Sequence, residues 1–209
     1  MYKRQGSGVS WSAETSFVSN SANFGGALIV LRGSNISWAA QIIFTNNTAS
    51  AGSGGAIYID GLCSVSWDGA SSFIGNTATW SGGAFYVFGD SSVYWEAESS
   101  FIINNAGNSG GAIRINGVSH ISWSAKTFFF SNIADEGGGA LSTENGSGVF
   151  WSAETSFVGN SANFGGALIV LGGSNISWAA QTVFTNNTAS AGSGAVSYTH
   201  LTLPTTSRV

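Results

Sequence analysis

Apolar and polar positions recur along this chain with an interval of about 28 residues. The period is set by tryptophan, at Trp11, Trp38, Trp67, Trp95, Trp123, Trp151 and Trp178. Six residues after each comes a phenylalanine: Phe17, Phe44, Phe73, Phe101, Phe129, Phe157 and Phe184. Three further on is an asparagine: Asn20, Asn47, Asn76, Asn104, Asn132, Asn160 and Asn187. An alanine follows two residues later, then Gly-Gly-Ala and a hydrophobic residue. Two before each Trp stands a β-branched residue, from Val9 to Ile176. The residue between them is mostly Ser, with Tyr94 and Phe150 as exceptions.

Residues two apart on a strand share a face, so this alternation predicts short strands with Trp and its β-branched partner inward. A second strand carries the Phe. A third follows Gly-Gly-Ala, with Leu28, Ile57, Phe85, Ile113, Leu141 and Leu168 inward, and Thr143 a polar exception two residues after Leu141. No helical period is present. Three strands per interval, repeated about seven times, predict an all-β fold: a right-handed parallel β-helix, or β-solenoid. At a strand spacing of about 4.8 Å, seven coils would make a rod roughly 35 Å long. All variation in repeat length falls between the Asn and Gly-Gly-Ala, so a turn on the outside of the coil is expected there. The Asn column is expected at a bend, its amides bonding backbone and neighbouring coils. The glycine pair suggests unusual dihedrals or close approach of coils. Gly6–Gly54 recurs as Gly146–Gly194 with five differences, which suggests duplication within a repeat array.

The termini do not fit the repeat. Met1 to Gln5 can be encoded by GTG TAT AAG AGA CAG, and the reverse complement of that DNA encodes the residues that open the tail at Val196. Residues 1–5 and 196–209 therefore read as adapter-derived, leaving 6–195 as a single repeat domain, an uncapped fragment. Within it, Arg32, Arg114 and Lys126 stand against ten acids, a net charge of −7. So few cations do not suit nucleic-acid binding, which needs clustered Lys and Arg on phosphates. Cys63 is the only cysteine, so no disulfide framework is possible. No apolar run approaches the roughly 20 residues of a membrane helix.

Phe73-Ile-Gly-Asn76 with Gly82-Gly83-Ala84-Phe85, and Phe101-Ile-Ile-Asn104 with Gly110-Gly111-Ala112-Ile113, show two interleaved motifs. Together they resemble the repeat of the chlamydial polymorphic outer-membrane proteins. The resemblance implies a β-helical passenger region that is secreted or displayed at a cell surface or outer membrane. Adhesion is then the usual role, and a host-cell or matrix component, or a glycan, the expected partner.

Candidate chemistry is sparse. Asp68 and Glu96 each follow a Trp in adjacent coils, where a carboxylate pair could do acid–base work or hold Ca²⁺. The bland reading is two solvated surface acids, and the rest of that column is Ser or Ala. Lys126 lies level with Glu98 and Glu154, a ladder that suggests cross-strand charge pairing. Tyr58, Tyr86 and Arg114 share an outward column and could stack on a glycan; ordinary cross-strand pairing is the alternative. His120 reads as a solvated turn residue and Cys63 as an inert thiol in a turn position filled elsewhere by Ser. No catalytic, cofactor or metal site is expected. The leading expectation is a non-catalytic adhesive or spacer scaffold. The alternatives are a fragment of a carbohydrate-active, pectate-lyase-like β-helix enzyme, or a glycan-binding module. The excised fragment is expected to associate end to end.

Overall fold

The computed structural model describes residues 7–191, 194 and 196–198. The chain winds through four seven-stranded parallel sheets, each built from one strand per coil. About six turns separate the first and last strand of a sheet.

The Trp sheet comprises Gly8–Trp11, Asn35–Trp38, Ser64–Trp67, Ser92–Trp95, His120–Trp123, Gly148–Trp151 and Asn175–Trp178. Its register sets Trp on Trp at every step, as in Trp38↔Trp67 and Trp95↔Trp123. The Phe sheet comprises Thr15–Val18, Ile42–Thr45, Ser71–Ile74, Ser99–Ile102, Thr127–Phe130, Thr155–Val158 and Thr182–Thr185, with Phe on Phe. The sheet after Gly-Gly-Ala comprises Leu28–Leu31, Ile57–Asp60, Phe85–Phe88, Ile113–Ile115, Leu141–Thr143, Leu168–Val170 and Val196–Tyr198.

A fourth sheet corrects the expectation of three strands per coil. It is a ladder of two-residue rungs: Ser21–Ala22, Thr48–Ala49, Thr77–Ala78, Asn105–Ala106, Ile133–Ala134, Ser161–Ala162 and Thr188–Ala189. Two residues are too few for alternation to reveal a strand. The fixed Asn-x-Ala spacing was its trace, because the alanines of the inner coils are buried, Ala49 to Ala162. The variable turn therefore begins after this rung, not at the Asn.

Val196–Tyr198 pair with Leu168–Val170, so the first residues of the stretch read as adapter-derived have strand backbone here. Residues 1–5, Ala195 and the tail from Thr199 lie outside the described residues.

The interior is filled by the stacked columns. Indole centroids of successive coils lie between 4.4 and 5.6 Å apart. The Phe rings stack at 4.7 to 5.0 Å. The columns meet edge to face, Trp67 on Phe73 at 6.3 Å and Phe73 on Phe85 at 5.7 Å. Burial of each such ring stabilises the coil by about 1.5–3 kcal/mol, and each ring pair by a further ~0.5–1.5 kcal/mol. Thr143 lies in this core, fully buried, its hydroxyl without a partner.

The two glycines of Gly-Gly-Ala have different tasks. Gly82 has φ +64°, a left-handed conformation that a side chain disfavours. Gly83 has ordinary dihedrals, but a Cβ there would stand 2.1 Å from the Gly111 carbonyl oxygen of the next coil. The second glycine thus lets two coils close on each other.

Candidate functional site

The Asn column holds the bend between the Phe sheet and the two-residue rungs. The Asn76 side-chain amide donates to the Phe44 carbonyl at 3.1 Å and to Asn104 Oδ1 at 3.0 Å. The Asn76 backbone N–H donates to the same Asn104 Oδ1 at 3.0 Å. This pattern repeats through Asn47, Asn104, Asn132 and Asn160. The residue before each Asn has φ between 51° and 66°, at Ser19, Asn46, Gly75, Ile103, Ser131, Gly159 and Asn186. These columns are structural: the inner Trp, Phe and Asn side chains are buried and face one another.

Chemistry must therefore come from outward positions. Asp68 and Glu96 follow the paired Trp67 and Trp95, and both are exposed. Among the described residues no group of three or more His, Cys, Asp or Glu gathers that could hold a metal ion. Lys126 pairs with Glu154 at 2.7 Å, with both side chains more than half exposed. The Glu154 carboxylate, by hydrogen bond and charge, holds the ammonium above the ordinary lysine range, and Glu98 adds to this. An exposed pair of this kind contributes little to stability.

The Tyr58, Tyr86 and Arg114 column is more occupied than its exposure suggests. Tyr58 and Tyr86 stack on each other at 5.3 Å with an interplanar angle of 7°. Phe24 meets Tyr58 edge-on at 5.6 Å. Arg114 donates to Ser142 Oγ and pairs with Glu144, its side chain only 11% exposed. Burial pushes both phenols above the usual tyrosine range, reinforced at Tyr58 by Asp60 and opposed at Tyr86 by Arg114. The ring faces that a sugar would use are thus largely spent on neighbours.

His120 opens a strand of the Trp sheet, where the sequence suggested a turn, and its side chain is exposed. It was misplaced because Gly, Asn and Ser fill the same column in other coils. Cys63 is a buried free thiol, its Sγ 3.3 Å from the Asp60 carbonyl. It occupies one rung of a second ladder that sequence reading missed. Ser91 Oγ donates to Phe88 O at 2.8 Å and accepts from the Cys63 N–H at 3.2 Å; Ser147 and Ser174 repeat the pattern. The recurrence of Ser four residues before Trp was the available signal.

A further surface feature lies on the outer face of the Trp sheet. Tyr94 and Phe150, the two breaks in the serine column, stand exposed on either side of Ser122. Two depressions meet at Tyr94, Ser122 and Phe150, one reaching toward His120 and Gly148 and the other toward Glu96 and Ser152, and together they form a shallow trough. The eighth tryptophan, Trp80, is outside the Trp register and lies exposed in a turn.

No helix among the described residues is long and apolar enough to cross a membrane. No curated protein and no solved structure matches the chain. The family model for the Chlamydia polymorphic membrane protein (Chlamydia_PMP) repeat matches residues 41–60 and 70–87. Both segments run from the Phe sheet through the Asn bend and Gly-Gly-Ala to the following strand. Two segments of the chain thus match the Chlamydia polymorphic membrane protein repeat, and the chain is wound as a parallel β-solenoid.

Proposed function

We propose that this segment is a non-catalytic, surface-displayed solenoid that acts as an adhesive or spacer region of a passenger. The match to the polymorphic membrane protein repeat carries this reading. The build of the coil supports it. Its Trp, Phe and Asn columns are fixed and face inward, while most outward positions vary more from coil to coil, the arrangement of a scaffold that presents surface. Its charged groups are spread singly or in pairs, with two ion pairs among the described residues.

The test is binding of the purified segment to fixed epithelial cells and to extracellular-matrix proteins, with incubation against polygalacturonate and other acidic polysaccharides alongside. Saturable binding to cells or matrix without turnover is expected for an adhesive role; inert behaviour in both assays fits a spacer. Polysaccharide cleavage that is lost in Asp68→Asn would overturn the reading in favour of a carbohydrate-active enzyme.

A further inference from the structure

We propose that the trough between Tyr94 and Phe150 is a glycan subsite that clamps one pyranose ring between two aromatic faces, over Ser122. It stands on the geometry of this face alone and holds for an adhesin or a spacer alike.

The register places Tyr94 on Ser122 and Ser122 on Phe150. The two aromatic side chains therefore rise from positions two strand spacings apart, about 9.6 Å. In this molecule the outward Tyr58 and Tyr86 rings of adjacent coils stack at 5.3 Å, and the inward Trp rings at 4.4 to 5.6 Å. Between Tyr94 and Phe150 the small Ser122 leaves room for a third ring. A sugar ring entering there would lie about 4.8 Å from each wall, the stacking distance the rest of the fold uses.

Polar groups favour a sugar over a planar aromatic side chain. In this column Ser37 Oγ donates to Ser10 Oγ of the adjacent coil at 3.0 Å. Ser122 has aromatic neighbours on both sides, and no described residue hydrogen-bonds its hydroxyl. That hydroxyl faces the trough, as do His120 and Asn175 at one mouth and Glu96 at the other. A pyranose carries hydroxyls around its rim to meet them, and its apolar ring faces meet the walls. The open depression on the His120 side measures about 320 Å³ and extends past Phe150 to Asn175 and Ser177. Because the trough is open at both ends, it suits an internal residue of a glycan chain.

The duplication isolates one wall. Gly6–Gly54 and Gly146–Gly194 differ at five positions, and on this face the only change is Ser10 in one copy and Phe150 in the other. The Phe150→Ser variant therefore recreates a sequence that this chain already folds.

The experiment is an oligosaccharide array probed with the intact chain, followed by titration of chitohexaose, cellohexaose, maltohexaose and a hyaluronan hexamer. Wild type should bind at least one of them. Phe150→Ser should weaken that binding about tenfold, the value of one lost ring face. Ser122→Tyr, which fills the gap, should abolish it. Tyr58→Ala with Tyr86→Ala should leave it unchanged. Circular dichroism melting of each variant separates loss of the site from loss of the fold. No binding to any printed glycan overturns the proposal, as does binding that survives both Phe150→Ser and Ser122→Tyr. Capture of Tyr- or Trp-containing peptides in place of glycans, lost in the same two variants, would reassign the trough to a protein partner.

Discussion

At the scale of single residues, the Asn and its preceding left-handed neighbour decide whether the coil turns. Asn104 Oδ1 accepts from the Asn76 N–H and amide, and its own amide donates to Phe73 O and Asn132 Oδ1. Asn104→Ala leaves these buried groups unpaired and should cost about 3–5 kcal/mol, read as a shift of the urea midpoint. An unchanged midpoint would mean that water replaces the ladder. The neighbouring Ile103 is β-branched at φ 55° and 56% exposed, in a column that Gly75 and Gly159 also occupy. Ile103→Gly should therefore stabilise the chain by about 0.5–1 kcal/mol in the same assay. The Asn column was legible in the sequence because its spacing never varies. The strain at Ile103 was not, since a β-branched residue beside a Phe strand reads as more strand.

At the scale of elements, the close contact of successive Gly-Gly-Ala turns sets how the coils approach. Gly83→Ala drives a methyl into the Gly111 carbonyl and should destabilise by about 4 kcal/mol or more. Soluble, wild-type-like melting would show that the turn can spread. The Tyr58 and Tyr86 stack makes a pH-dependent prediction. Their phenols are held above the usual value of about 10, chiefly by burial. The fold favours the neutral form, so this contribution is complete below pH ~10 and is lost as pH rises through the folded values. A phenolate absorbance titration should show two late-ionising tyrosines, one of which is absent from the titration in Tyr58→Phe and the other in Tyr86→Phe. The Trp, Phe and Gly-Gly-Ala strands were readable because four-residue alternation is a strong signal. The two-residue rungs were not, and neither was the trough. Tyr94 and Phe150 stood out from the serine column in the sequence, but their relation across Ser122 needs the register.

At the scale of the whole molecule, the terminal coils of the described segment have only one neighbour each. Trp11 and Phe17 at one end, and Trp178 and Phe184 at the other, are only partly covered, whereas the inner rings are buried. Such open sheet edges template further pairing. The excised segment should self-associate with rising concentration in sedimentation velocity, and a concentration-independent monomer would contradict this. The parallel winding was legible in the sequence from one fixed interval. What covers the ends was not, because the pattern of a coil is the same whether or not another follows it.

The Asn ladder also gives the rod a direction. Every Asn-to-Asn bond donates toward the higher-numbered coil, from Asn20 onto Asn47 through to Asn160 onto Asn187, while the second amide N–H returns to a Phe carbonyl of the coil below. Among the described residues, Asn20 therefore ends with an unused acceptor oxygen and Asn187 with unused donors. These ends are complementary to each other and not to themselves. Two copies that continue the ladder must join head to tail, and that contact does not close on itself. The assembly would be a polar filament with unlike tips, spread over a range of lengths and without a favoured dimer.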